Sequence, residues 1–254
     1  MTPDPHLLNA IRFLTVLPTP QSDGAPTPDW LARAMKYFPL VGAGIGAVSA
    51  VVFVLASMIW SPTIAAILAV TASIFLTSAF HEDGLADTFD AFGGGWTVER
   101  RLEIMKDSRI GTYGALALGL GTALRIAALA TLTPWTGAAA LIAAHAAART
   151  MPAFVMNRMS HSGDPATMKV SYAETPIRST EIAFALITAA LALFPLVLMA
   201  PRSVVIGLLL GALLGALLAR SAKRLIGGYT GDVLGAIEQL FEIGFLLGVA
   251  AMLR

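Results

Sequence analysis

Seven stretches almost free of polar residues punctuate the chain, at about 38–60, 63–80, 111–133, 136–156, 181–200, 203–219 and 233–253. Each is close to the roughly 20 residues that carry an α-helix across a bilayer. The pattern predicts seven spans, or six, because the third, fourth and seventh stretches contain charges. Residues 6–15 follow a different rule. Leu7, Ile11 and Leu14 fall on one side with Asn9 and Arg12 away from it, the spacing of a short amphipathic helix lying on a membrane surface. Pro18 and Pro20 end that helix, and 19–29, rich in Pro, Asp, Ser and Thr, reads as an exposed loop. No long internal repeat and no shift in composition divides the chain, so one domain over 1–254 is expected.

Composition fixes the class. Of 254 residues, 56% are hydrophobic and 13% charged, and the mean hydropathy is +0.74. Soluble domains carry about a quarter charged residues, so the expectation is an all-α, polytopic integral membrane bundle. With no cysteine, disulfides, thiolate metal sites and cysteine nucleophiles are excluded, leaving oxygen and imidazole ligands. No cleavable signal peptide is expected in 1–20, and no lipidation motif stands out. The net charge of +1 says little, but the placement of basic residues is lopsided. Arg12, Arg33 and Lys36 precede the first span. Arg100, Arg101, Lys106 and Arg109 lie between the second and third, and Arg158, Lys169 and Arg178 between the fourth and fifth. Arg220, Lys223 and Arg224 lie between the sixth and seventh, whereas the opposite side has only Arg202 and Arg254. The positive-inside tendency then places the N-terminus and the loops 81–110 and 157–180 in the cytoplasm. The acidic residues share that side, although acids contribute little to topology, and chemistry at the cytoplasmic surface is the reason inferred for them.

The densest polar segment runs from His81 to Gly95. In a helix Asp83, Asp87 and Asp90 project from one narrow face, which repels itself unless a cation sits on it. A hard divalent ion with oxygen ligands is the simplest compensation, and magnesium is usually held by one or two carboxylates plus substrate phosphates. The alternative is a solvated acidic helix start. Lys106 to Gly114 forms a second cluster, in which Lys106, Ser108 and Arg109 precede a helix start at Gly111 and Thr112. It reads equally as a phosphate clamp or as a basic membrane flank with an N-cap. A third cluster, Gly227 to Asp232, enters the last span ahead of Gly235, Glu238, Gln239 and Glu242. Glu238 and Glu242 are costly in lipid unless paired, and Arg125 and Arg149 are the available intramembrane cations, so ion pairing and a ligand role both stand. His145 reads as a packed or hydrogen-bonded helix histidine, and His161, near Asp164, as solvated. His81 either takes a proton from an attacking hydroxyl or orients a neighbouring aspartate.

The run His81-Glu82-Asp83-Gly84-Leu85-Ala86-Asp87-Thr88-Phe89-Asp90 resembles the signature of the cobalamin synthase (adenosylcobinamide-GDP ribazoletransferase) family. Phe13 to Pro18, Met105 to Gly114, and Thr230-Gly231-Asp232 with Leu234, Gly235, Ala236 and Glu238 extend the resemblance, which covers about residue 10 to the C-terminus. Ala91 departs from the glycine expected after Asp90, and Arg125 stands where a lysine is common. The resemblance implies that α-ribazole or its 5′-phosphate attacks adenosylcobinamide-GDP through the ribose 3′-hydroxyl and expels GMP at a bacterial inner membrane. It implies Mg²⁺ on Asp83, Asp87 and Asp90, charge stabilisation by Lys106 and Arg109, and His81 or an aspartate as proton acceptor. Ser108, Arg149, Thr230, Asp232 and Glu238 are the substrate-binding candidates. No nucleic-acid partner is expected, and the oligomeric state is left open. Two other classes compete. A CDP-alcohol phosphotransferase continues its Asp-Gly pair, two residues on, with Ala-Arg, where Asp87 and Thr88 stand here. An ion-coupled transporter would explain the intramembrane charges, but its sites should lie near the midplane in repeated halves.

Overall fold

The computed structural model describes residues 4–20, 27–163 and 175–253; Asp164, Lys169 and Arg254 lie outside them, as do parts of the expected loops 19–29 and 157–180. Twelve α-helices and no strand are present among the described residues. α1 (Pro5–Leu14) is the amphipathic helix. The Asp4 side chain accepts from the His6 backbone N–H at 2.8 Å, Pro5 occupies the first turn, and Ala10 and Leu14 are buried. Short α2 (Trp30–Ala34) and a 3₁₀ turn at Met35–Tyr37 lead into α3 (Phe38–Ser57). There follow α4 (Pro62–Thr77), α5 (Phe80–Gly94), α6 (Val98–Ile104), α7 (Thr112–Ala130), α8 (Pro134–Ala148) and α9 (Met151–Met156). Three long helices close the chain: α10 (Ser179–Met199), α11 (Pro201–Ile226) and α12 (Gly231–Ala251).

Six helical segments are long and apolar enough to cross a membrane: Trp30–Ser57, Thr112–Ala130, Pro134–Met156, Ser179–Met199, Pro201–Ile226 and Gly231–Ala251. A seventh arises only if α4 and α5 are taken as one broken span, because they meet at 90°. Ser78 and Ala79 make that corner with φ of 54° and 56°, two consecutive non-glycine residues in the left-handed region. The predicted stretch 63–80 therefore ends at Thr77, and the acidic helix leaves it at a right angle. Left-handed backbone costs roughly 1–2 kcal/mol per residue, so the packing on both sides of the corner must hold it.

Helix contacts are made through small residues, as expected where no hydrophobic effect drives helices together. On α11 and α12 a glycine every fourth residue lets the backbones touch: a Cβ on Gly244 would stand 2.8 Å from Gly211 Cα, and one on Gly248 2.7 Å from Gly207 Cα. α3 and α8 cross in the same way, with Gly46 against the backbone of Ile142. The apolar side chains that remain point outward. Leu55, Phe75, Leu120, Leu191, Leu198 and Leu209 are each more than half exposed. Such a belt around a polar centre fits an integral membrane protein. α12 lies at the centre, with nearly its whole length buried.

Candidate active site

The right-angled turn after α4 lays α5 across the beginnings of α7 and α12, and it is here that the three polar motifs meet. Gly84 of α5 permits the closest approach to α12: a Cβ there would stand 2.7 Å from the Asp232 carbonyl oxygen. At its far end α5 meets α7. The Asp90 carboxylate accepts from the Gly111 N–H at 2.7 Å and from the Gly114 N–H at 2.8 Å. A side chain at either glycine would collide with that carboxylate, and one at Gly93 with the Tyr113 ring 2.5 Å away. The glycine spacing of the second motif thus exists to admit the last aspartate of the first. Thr230 caps α12 by accepting from the Val233 N–H at 3.3 Å, and its hydroxyl lies 3.6 Å from the Met105 sulfur, which brings in the segment before α7.

The three aspartates do share the helical face predicted for them, but their surroundings differ. Asp83 is exposed, Asp87 is half-buried and Asp90 is buried. Asp90 thus occupies two of the N–H groups at the start of α7, those of Gly111 and Gly114. Among the described residues no three His, Asp or Glu side chains close into a ready metal cage. Asp83 and Asp87, one turn apart at the rim, fit the kind of ion that takes one or two carboxylates and completes its shell with phosphate oxygens and water. Lys106, Ser108 and Arg109 are exposed on the loop between α6 and α7. Arg109 donates to its near neighbour Asp107, with Nη2 to Oδ2 at 2.6 Å, and the guanidinium holds that carboxyl down to about 2.

Beneath the rim lies a buried network of charges. His145 Nδ1 and Arg149 Nη1 reach Glu242 Oε1 at 2.8 and 3.0 Å, while Arg125 Nη2 reaches its other oxygen at 3.2 Å. Arg125 Nη1 also donates to Glu82 Oε1 and to Gln239 Oε1, both at 2.9 Å, and the Gln239 amide donates to Glu82 at 3.1 Å. All these groups are buried, and Arg149 is only 1% exposed. Of the two readings left open for Glu238 and Glu242, ion pairing is present for both, since Arg149 Nε also lies 3.8 Å from Glu238 Oε2, and Arg149, the substrate-binding candidate, is buried within that network. His145 is a hydrogen-bonded helix histidine, as read from the sequence. His161 is half-buried rather than solvated: its Nδ1 accepts from the Gly163 N–H at 2.9 Å, and its ring meets Tyr229 edge-on. His81 faces Glu238 on α12, with Nε2 and Oε2 2.9 Å apart, and not a neighbouring aspartate. A step of 100° per residue turns His81 and Glu82 towards α12 and α7 while Asp83 stays outside. Glu82 and Gln239, for which the sequence offers no role, join this network through Arg125.

A multi-span helical protein with carboxylates and cations gathered at one end, over a closed ionic core, has the makings of a membrane enzyme acting on a charged, water-soluble group. Comparison with known proteins gives the family: the sequence model described as cobalamin-5-phosphate synthase matches residues 6–250, and the chain belongs to that family. Similar curated proteins bear the name adenosylcobinamide-GDP ribazoletransferase. The one from Bradyrhizobium diazoefficiens is 45% identical over 249 residues, 95% of this chain and 92% of its own length. Those from Leptothrix cholodnii and Azorhizobium caulinodans are 40% and 41% identical, covering 94% and 96% of this chain and 92% and 95% of theirs. No solved structure matches. Membership of a family of cobalamin-forming transferases sets aside the CDP-alcohol phosphotransferase and the ion-coupled transporter.

Proposed function

We propose that the chain performs the transfer for which its relatives are named, at the rim formed by α5, α7 and α12. α-Ribazole or its 5′-phosphate is joined through the ribose 3′-hydroxyl to the cobinamide-linked phosphorus of adenosylcobinamide-GDP, and GMP leaves. The observation that carries this reading is the interlocking of three separate motifs, Gly84 on Asp232, Asp90 on Gly111 and Gly114, and Thr230 beside Met105. Those contacts draw together the segments that carry the exposed Asp83, Lys106 and Arg109 side chains. Asp83 and Asp87 would hold Mg²⁺, which supplies neutralisation of the diphosphate charge when bound.

The chain's own residues do the remaining work. Phosphoryl transfer asks mainly for positioning and for stabilisation of charge on the phosphate oxygens. Lys106 and Arg109, on the exposed loop before α7, serve the developing charge, and Asp232 at the first turn of α12, whose backbone packs against Gly84, is the further substrate-binding candidate. A rim aspartate takes the proton of the attacking hydroxyl. Asp90 and Thr230 fix the starts of α7 and α12, and the Arg125–Glu242–Arg149 network fixes the helices beneath. We place this rim on the cytoplasmic side of the inner membrane, with the N-terminus on the same side, supported by the bias of basic residues. The test is GMP release by the purified chain in detergent or in liposomes without any gradient. It should require both substrates and Mg²⁺ and stop with chelator; activity that needed a gradient would favour a transporter.

A further inference from the structure

The right-angled corner between α4 and α5 aims the acidic helix, yet its own residues do not favour it. Ser78 and Ala79 both stand in the left-handed region, where glycine is the usual residue, and a helix continued straight through them would avoid that conformation. Local hydrogen bonds finish one helix and start the next: the Ala79 N–H donates to the Ile74 carbonyl and the Asp83 N–H to the Ala79 carbonyl, both at 2.8 Å. Further support comes from residues 13–18, a motif with no part in the chemistry above. Thr15 Oγ1 donates to the Ile11 carbonyl at 2.8 Å and accepts from the Leu17 N–H at 3.2 Å. That turn brings the Val16 N–H onto the Leu76 carbonyl at 2.9 Å, an acceptor that a continued helix would fill from residue 80. Phe13 meets the ring of Phe80, the first residue of α5, edge-on at 5.1 Å. It is itself held by Trp30 of α2 at 5.6 Å and by Phe38 of α3 at 5.8 Å, while Leu14, 1% exposed, seats the segment in the core.

We infer that residues 13–17 brace this corner and that Phe13 is a positioning residue for the transfer, a consequence that rests on the proposed function. The brace grips both sides of the two left-handed residues, by a hydrogen bond to the end of α4 and by a ring contact to the start of α5. A membrane anchor would need only the apolar face of α1 and would leave Leu76 and Phe80 untouched. The direction of α5 decides where Asp83 and Asp87 stand, because they lie three and seven residues beyond Phe80 on the same side of the helix. Farther along, α5 is fixed by Gly84 against α12 and by Asp90 against α7. The brace fixes the end nearest Asp83. A displacement of about 1 Å at reacting groups costs on the order of a hundredfold in rate, so a small relaxation of the corner is enough to be seen in turnover.

The chain has no cysteine, so two introduced ones can carry spin labels. Ile67→Cys on α4 and Gly94→Cys on α5 are both at exposed positions. Helices at a right angle set those backbones about 28 Å apart, and a straightened helix would set them about 40 Å apart. The full chain in lipid nanodiscs, without substrate, should give one narrow distance near the shorter value. Phe13→Ala should add a longer component and, in the unlabelled chain, lower kcat about tenfold with the KM of both substrates within about twofold of wild type. Ala79→Gly, which accepts left-handed backbone readily, should restore the single distance and most of kcat in that background, and Phe13→Tyr should keep both. If Phe13→Ala fails to fold, Val16→Pro decides the matter. It deletes the N–H given to Leu76 at an exposed side chain, after an extended Thr15 that suits a following proline, and should produce the same longer component. A wild-type distance and kcat in whichever variant folds, or a loss that Ala79→Gly does not repair, would overturn the brace. Because the distance is read without substrate, a longer component repaired by Ala79→Gly supports the brace even in a chain that releases no GMP, whereas GMP release at the wild-type rate with an unmoved distance sinks the brace alone.

Discussion

Replacing Asp90 with asparagine separates two roles that the sequence combined. In the structure its carboxylate accepts from Gly111 and Gly114 at the first turn of α7, and it is buried. An asparagine in the same place keeps one acceptor oxygen and turns an NH₂ group towards the other N–H. One charge-assisted hydrogen bond is lost, at about 1.5–3 kcal/mol. The favourable meeting of a negative charge with a helix N-terminus adds about 0.3–1 kcal/mol. The expected loss is therefore about 2–4 kcal/mol, a drop in Tm on the order of 5–15 °C for a chain of this size. Thermal unfolding in detergent reads this without substrate or metal. Turnover below the new Tm should then show a Mg²⁺ requirement close to that of wild type. Asp83→Asn should do the reverse, leaving Tm nearly unchanged because Asp83 is exposed, and raising the Mg²⁺ concentration needed for half-maximal turnover. If Asp90→Asn melts within a degree or two of wild type yet needs far more Mg²⁺, the capping argument fails and Asp90 is a metal ligand.

The remaining predictions concern the core and the outer loop. Glu242→Ala removes the carboxylate shared by Arg125, His145 and Arg149 and should cost about 3–5 kcal/mol, seen as loss of monodisperse protein after extraction. Recovery of wild-type stability by that variant would mean the network is dispensable. Asp107 is depressed from 3.8 to about 2 by Arg109, so its pairing is complete above pH 3.8 and is lost as pH falls through about 2. A carboxyl NMR titration should give that midpoint and move up towards 3.8 in Arg109→Ala; an unmoved midpoint would remove the pair. Lys106→Ala and Arg109→Ala should each lower kcat roughly tenfold to a thousandfold with a smaller effect on KM. Wild-type turnover in both would reduce the segment to a membrane flank.

What the sequence disclosed, and what it did not, follows from the range of the forces involved. Apolar stretches of about the right length located every long helix, because crossing lipid demands hydrogen-bonded helix and little else. The exception was 63–80, where two left-handed residues turn the chain at Ser78 and Ala79. Neither is glycine, so composition carried no warning of the corner. The candidate residues were legible as motifs, but their division of labour was not. Asp83, Asp87 and Asp90 have equal standing in the helical repeat. Only tertiary packing buries Asp90 against Gly111 and Gly114 and leaves Asp83 at the surface. Likewise the pairing of His81 with Glu238 joins residues 157 positions apart, which helical spacing cannot anticipate. The glycines of α11 and α12 carried no reading of their own within apolar stretches, and their role in close packing is evident only from the crossing of the two backbones.

The central claim is that a ribose hydroxyl displaces GMP directly at the rim of α5, α7 and α12. Isotopic labelling tests it most closely. α-Ribazole carrying ¹⁸O at the 3′-hydroxyl, turned over with adenosylcobinamide-GDP by the purified chain, should deliver all of the label to the bridging oxygen of the product phosphodiester and none to GMP, with Asp87→Asn abolishing both products together. Label lost to water or appearing in GMP, or full transfer by Asp87→Asn, would contradict the account.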